Sequence, residues 1–182
     1  MTNDRVKEMA YIALYAALCM VLQIVSDLIP FLQMPQGGSI ELGFAALFVA
    51  AYHLGWKDGL IVGALWWVIG LLFGKNAWYL NPLQYAFDYL LPIAVVAMGP
   101  LYWRKKGQYI PGVVIGMILK YICNLISGVY FWPPEGGAAG STAAWVYSLN
   151  YNAWYNLATM ILSVILVPLL ISKIRGAVKM NQ

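Results

Sequence analysis

The chain has 182 residues, of which 62% are apolar and only 10% charged. Soluble domains carry about a quarter charged residues, so this composition cannot build a water-facing surface and points to an all-α integral membrane protein. The net charge is +4 and the pI near 9.0, a basic excess that sidedness in a membrane accounts for without a nucleic-acid partner.

A bilayer-spanning helix takes about 20 mostly apolar residues. The hydrophobic runs fit about six, at roughly 7–29, 40–55, 58–74, 82–103, 109–131 and 149–173. The expectation is a six-transmembrane-helix bundle forming one membrane domain over 1–182, without a soluble domain, linker or low-complexity tract. The first run follows Arg5 and Lys7. It is too long for a signal peptide and no A-x-A-like site follows, so it reads as an uncleaved helix. It carries Ala10, Ala13, Ala16 and Ala17, and small residues at this spacing let another helix approach closely, inside the bundle or from a partner.

The next segment, Leu32-Gln33-Met34-Pro35-Gln36-Gly37-Gly38-Ser39-Ile40, has paired glycines suited to a ligand-facing turn or lid, or to a simple reversal. The second run ends near His53, read as interfacial and structural, and turns at Gly55–Gly59 into the third. In the fourth, Asp88 places a carboxylate inside a membrane segment. Such a group is expensive there and marks function by default. Tyr85, Asp88 and Tyr89 share a helical face, and aromatic rings beside a carboxylate suit a flat, cationic ligand. Trp78, Tyr79, Asn81 and Gln84 adjoin this group.

The fifth run carries Lys120, Asn124, Ser127 and Gly128 as a polar stripe on an apolar helix. It leads through Trp132 to Pro133-Pro134, which stops the helix. The sixth opens with Trp145, Tyr147, Ser148, Asn150, Tyr151, Asn152, Trp154, Tyr155 and Asn156. These clusters are placed to converge toward one end of the bundle. The plain alternatives are an aromatic belt, interhelical hydrogen bonding by Asn and Ser, and an ion pair between Asp88 and Lys120.

Arg5, Lys7, Lys57, Arg104, Lys105, Lys106, Lys173, Arg175 and Lys179 fall on one side, 9 of the 11 basic residues. The positive-inside rule puts that side and both termini in the cytoplasm, with loops 30–40, 75–81 and 132–148 outside. Cys19 and Cys123 read as buried thiols without a disulfide or metal role. One histidine makes a Ser-His-Asp relay unsuited to this chain, no Walker A pattern occurs, and the chain is read as no enzyme. Active transport would then draw its energy from a partner or an ion gradient.

The chain resembles the thiamine-specific substrate-binding (S) component of energy-coupling factor transporters. The resemblance rests on Met34-Pro-Gln-Gly-Gly-Ser39, Pro82-Leu-Gln-x-x-x-Asp88-Tyr89, Leu119-Lys-Tyr121 with Ile126-Ser-Gly128, and Trp145-x-Tyr147-Ser-Leu-x-Tyr-Asn152. It implies a multi-pass protein of a prokaryotic cell membrane, with an outward-facing vitamin pocket closed by the first outer loop. It implies thiamine as ligand and no cofactor of its own. The partners it implies are a transmembrane coupling subunit and two ATPase subunits that consume ATP. By position it assigns ligand contacts to Asp88, Tyr89, Gly128, Trp132, Tyr147 and Asn152, and to Trp78 or Tyr79. Ala13 and Ala17 match its docking face. Where the family usually has His, this chain has Asn124, an amide that can still hydrogen-bond. The loop 133–144 lacks an aromatic that some members carry. The alternatives are the same architecture for another heteroaromatic vitamin or a thiamine precursor, and a non-transport membrane protein.

Overall fold

The computed structural model describes residues 3–35, 37–103 and 105–176. Gln36 of the glycine loop, and Arg104 and Lys179 of the basic set, lie outside the described residues. The chain is all-helical, with no strand among the described residues beyond an isolated Gln33–Ser39 bridge. The helices are α1 (Asn3–Leu28), α2 (Gly43–Leu54), α3 (Trp56–Leu72), α4 (Pro82–Tyr85), a π-helical turn Ala86–Leu90, α5 (Leu91–Ala97), α6 (Gly99–Tyr102), α7 (Ile110–Phe131) and α8 (Thr142–Ile174).

Polarity is distributed the reverse of a soluble fold. Leu14, Val21, Leu72, Ile161, Ile165 and Leu169 are exposed, whereas Gln84, Lys120, Ser127, Ser148, Asn152, Asn156, Thr159 and Ser163 are buried. Water would not tolerate the first set and hydrocarbon would not tolerate the second outside, so the protein is built for a bilayer. Three helices are long and apolar enough to cross one: Asp4–Leu28, Ile110–Phe131 and Thr142–Ile174. Gly43–Leu54 and Pro82–Ala97 are shorter apolar helices.

The short α2 is the hub. Its sequence GFAALFVAAYHL is apolar on every side, and each of its residues is buried. It packs against α1, α3, α5 and α8. At about 1.5 Å per residue it spans about 18 Å, less than a hydrocarbon core of about 30 Å. Phe44, Leu47, Phe48 and Tyr52 join Trp66, Val113 and Met117 in one cluster. His53, near the end of α2, is buried in the protein. Its Nδ1 lies 2.9 Å from the Tyr15 hydroxyl, and its ring meets Tyr11 and Tyr15 edge-on. Cys19 and Cys123 are buried free thiols.

Two boundaries differ from the sequence reading. The last helix starts at Thr142 rather than near 149, because Ser141 caps it and accepts a hydrogen bond from the Ala144 N–H at 3.2 Å. The run 82–103 is segmented, not continuous. Pro92 lacks an N–H and its ring crowds the carbonyl four residues back, that of Asp88. The ladder yields by widening: the Leu91 N–H bonds the Ala86 carbonyl, five residues back.

Close packing sets tight limits on side-chain size. A Cβ on Gly112 would fall 2.1 Å from the Tyr52 hydroxyl, which donates to the Tyr109 carbonyl, and 2.7 Å from the Gly99 carbonyl oxygen. Gly112→Ala is expected to destabilise the protein by about 1–3 kcal/mol through overpacking. Gly176→Ala, where an added methyl meets open space, should be nearly neutral. Thermal unfolding of both variants in detergent checks this; an unshifted Gly112→Ala midpoint would contradict the packing.

Candidate ligand-binding site

The loop ends of α1, α3, α7 and the starts of α2, α4 and α8 gather at one end of the bundle, and the polar clusters meet there. Asp88 sits in the π turn that Pro92 imposes. Its Oδ2 accepts a hydrogen bond from Gln84 Nε2 at 2.6 Å and another from the Trp132 indole Nε1 at 3.0 Å. Among the described residues no basic side chain pairs with it; the ion pairs are Lys75–Asp27 at 2.6 Å and Lys120–Glu41 at 3.1 Å. The Asp88–Lys120 pair considered from the sequence does not form. The Asp88 carboxyl group is thus held by neutral donors.

Aromatic rings surround it. Trp78 packs edge-on against Trp132 with centroids 6.2 Å apart. Tyr89 lies 4.9 Å from Tyr85. Tyr79 packs instead on Tyr85, so Trp78, not Tyr79, stands beside Trp132. The Tyr85 hydroxyl is engaged elsewhere, accepting from Trp67 Nε1 and donating to the Asn76 carbonyl.

The second half of the site lies between α7 and α8. Lys120, only 2% exposed, reaches Glu41, Asn156 Oδ1 at 3.0 Å and Asn124 Oδ1 at 3.4 Å. Its ammonium also lies over the rings of Phe44 and Tyr155. Asn156 donates to Asn124 Oδ1 at 3.3 Å, Asn152 donates to Ser148 Oγ at 3.0 Å, and the Tyr155 hydroxyl donates to Asn152 Oδ1. Gly128 is where the two helices cross: a Cβ there would come within 2.2 Å of Ser148 Oγ and 3.0 Å of Asn152 Nδ2. Its place is at a close helix approach beside the polar cluster. Glu41 and Asp88 are both within electrostatic reach of Tyr89 and Tyr155, which lie between the two halves.

The glycine loop folds over this junction. The Met34 N–H bonds the Gly38 carbonyl at 3.0 Å and the Gly37 N–H bonds the Met34 carbonyl at 3.2 Å, making a tight reversal. The Tyr151 hydroxyl donates to the Gly37 carbonyl at 2.6 Å. Gly38 has φ +80 and lies against the Tyr155 ring, where a Cβ would be 3.0 Å away. Both the backbone angle and the approach suit glycine.

The structure therefore brings Trp78, Asp88 and Trp132 into one group and Asn124, Gly128 and Asn152 into the other. Tyr147 stands at the edge, half-buried and stacked on Tyr151 at 5.7 Å. Trp145 and Trp154 are exposed, whereas Tyr155 is buried. Ala13 and Ala17 are exposed on α1, and Ala16 faces the core. Sequence reasoning passed over Glu41, the partner of Lys120, gave no role to Gln84 or Tyr151, and weighed Tyr155 with Trp145 and Trp154 as an aromatic belt. The signal for Glu41 was available: a lone acid at the start of an apolar helix needs a partner, and so does a lone lysine within one. The described residues hold no cluster of His, Cys, Asp and Glu able to bind a metal ion.

Comparison with known proteins agrees with this architecture. The chain is 33% identical over 175 residues to the thiamine transporter ThiT of Bacillus subtilis, covering 87% of each protein. It is 27% identical over 157 residues to the thiamine transporter ThiT of Lacticaseibacillus paracasei, covering 74% of each. The solved structure of ThiT from Listeria monocytogenes superimposes with a TM-score of 0.76 over 96% of this chain and 98% of that one; at 24% identity this speaks to the fold. The family described as thiamine transporter protein (Thia_YuaJ) matches residues 9–179. By that match across nearly its whole length, the chain belongs to the thiamine transporter protein family, membrane transporters rather than enzymes.

Proposed function

We propose that this chain is the thiamine-capturing subunit of an energy-coupling-factor importer in a prokaryotic plasma membrane. The reading has it crossing the bilayer six times as one domain, both termini in the cytoplasm and the site facing outward. The observation that carries it is the charge arrangement. Lys120 and Glu41 neutralise each other, and Asp88 remains without a cationic partner among the described residues. The site thus holds one net negative charge among aromatic rings.

Thiamine matches that arrangement. Its thiazolium is permanently positive and its aminopyrimidine is flat, with an amino donor beside acceptor ring nitrogens. Trp132, Trp78 and Tyr89 offer ring faces, each worth about 0.5–2 kcal/mol toward a cation. Both donors to Asp88 converge on Oδ2, so Oδ1 can accept from the ligand in a charge-assisted hydrogen bond. Asn152, Tyr147 and the Asn124 amide supply polar contacts, and the glycine loop covers the bound molecule. Titration with thiamine, its isolated pyrimidine moiety and riboflavin tests the ligand. Tightest binding to riboflavin would overturn the assignment, and equal binding of the pyrimidine moiety would shift it to a precursor. Delivery is assigned to a transmembrane coupling subunit and two ATPase subunits that consume ATP, and this chain uses no cofactor. The exposed Ala13 and Ala17 form the docking face on α1.

Asp88→Asn keeps the shape and removes the charge. Thiamine affinity should fall at least tenfold, about 1.4 kcal/mol, measured by calorimetry on folded protein. Trp132→Ala removes a ring and a donor to Asp88 together. It should weaken binding and remove most ligand-induced quenching, read as the difference from the parent because the chain has eight tryptophans. Ala13→Trp with Ala17→Trp should leave thiamine affinity nearly intact, since both side chains point away from the bundle. Two indoles cannot fit where small residues admit a partner helix, so pull-down of the coupling module and uptake in reconstituted vesicles should be lost. Normal uptake would exclude this face as the dock.

A further inference from the structure

Gln84 is fully buried, with 0% exposure, and every polar contact it makes lies within the Asp88 region. Its Nε2 donates to Asp88 Oδ2 at 2.6 Å and to the Trp78 carbonyl at 3.2 Å, and its Oε1 accepts from the Leu80 N–H at 2.9 Å. These partners settle the amide's orientation, because a carboxylate and a carbonyl need its N–H groups and a backbone N–H needs its oxygen. The residue itself is held in place: Asn81 Oδ1 caps the Gln84 N–H at 2.9 Å, and Pro82 occupies the first turn.

We propose that Gln84 is the positioning residue of the binding site. It aims the Asp88 carboxylate and ties it to the backbone segment Trp78–Leu80, so that the anion and the Trp78 ring are set as one unit. The proposal rests on the reading of Asp88 as the anchor for a cationic ligand. The physical case is that Asp88 sits in the widened π turn, where the Pro92 break leaves its backbone short of the usual ladder. A carboxylate on such a segment needs side-chain donors to take one direction, and only Gln84 and Trp132 supply them among the described residues. Trp132 comes from a different helix end. Gln84, four residues back on the same segment, is the one donor that also holds the outer segment.

The experiment is a double-mutant cycle on the full-length protein, with thiamine affinity read by calorimetry. Gln84→Met keeps the side chain's length and removes the amide. Q84M is expected to weaken binding about tenfold. In the Asp88→Asn background it should change affinity less than twofold, because there is no longer a carboxylate to aim. The Trp132 indole N–H resonance, assigned with Trp132→Phe in tryptophan-labelled protein, should shift in Q84M because both residues donate to the same Asp88 oxygen. Should Q84M fail to fold, Gln84→Asn keeps the amide but not its reach and carries the same expectation. Losses that add in the double mutant would overturn the positioning role, and so would an unshifted Trp132 resonance. A D88N variant that loses affinity while Q84M keeps it overturns the positioning role alone. A D88N variant with parental affinity overturns the anchor itself, and the positioning role with it.

Discussion

Lys120 cannot reach water, and much of the site is arranged around that fact. Leaving a lysine charge unpaired at such depth would cost several kcal/mol. The chain answers with Glu41 from the start of α2, the amide oxygens of Asn124 and Asn156, and the ring faces of Phe44 and Tyr155. The answers come from three places: Glu41 and Phe44 around the beginning of α2, Asn124 on α7 itself, and Tyr155 and Asn156 on α8. Satisfying one ammonium therefore fixes the start of α2 against α7 and α8. Glu41 is held a second time, its N–H donating to Thr159 Oγ1 at 3.1 Å.

That anchor also explains the loop before it. The Gln33–Ser39 bridge and the Met34–Gly38 bond bring the two sides of the loop together, and the chain runs from Ser39 through Ile40 to Glu41. With one end tied through Glu41 to the buried lysine, the glycines have little choice but to lie over Tyr151 and Tyr155 of α8. Tyr151 donates to the Gly37 carbonyl, and the Tyr155 ring lies against Gly38. The loop is thus built on the charge network beneath it, and the same network pairs Glu41 with a cation while Asp88 has no basic partner among the described residues. In the function proposed, selectivity for a cation would rest on that asymmetry, since two paired carboxylates would leave the aromatic rings with no fixed counter-charge.

The π turn serves the same end by a different route. A regular helix through residues 82–97 would satisfy its own backbone and give Asp88 no special direction. Pro92 removes one ladder bond and widens the turn at Ala86–Leu90. Irregular backbone at membrane depth is tolerated only where protein or a water-filled cavity surrounds it. Here Gln84, Trp132 and the Trp78–Leu80 segment surround it.

Composition determined that this is a membrane protein, and the long apolar runs determined that it is helical. A bilayer admits helices or closed barrels, and continuous apolar runs of about 20 residues fit the helix. The hydrophobic runs located most helices, because length and polarity are local properties. Asp88, the polar stripe from Lys120 to Gly128, and the asparagines near 150 stood out because a polar group inside an apolar run is legible without knowing its neighbours. What the sequence could not decide was pairing. Nothing in the order of residues says that Lys120 meets Glu41 rather than Asp88, or that Tyr155 turns inward while Trp154 faces out. Those choices depend on helix rotation and on which helix ends meet across long stretches of chain. The break at Pro92 and the cap at Ser141 were local signals and could have been read. The convergence of Gln84, Trp132 and Asp88 on one oxygen is tertiary, because hydrogen bonds across helices exist only after the helices have packed.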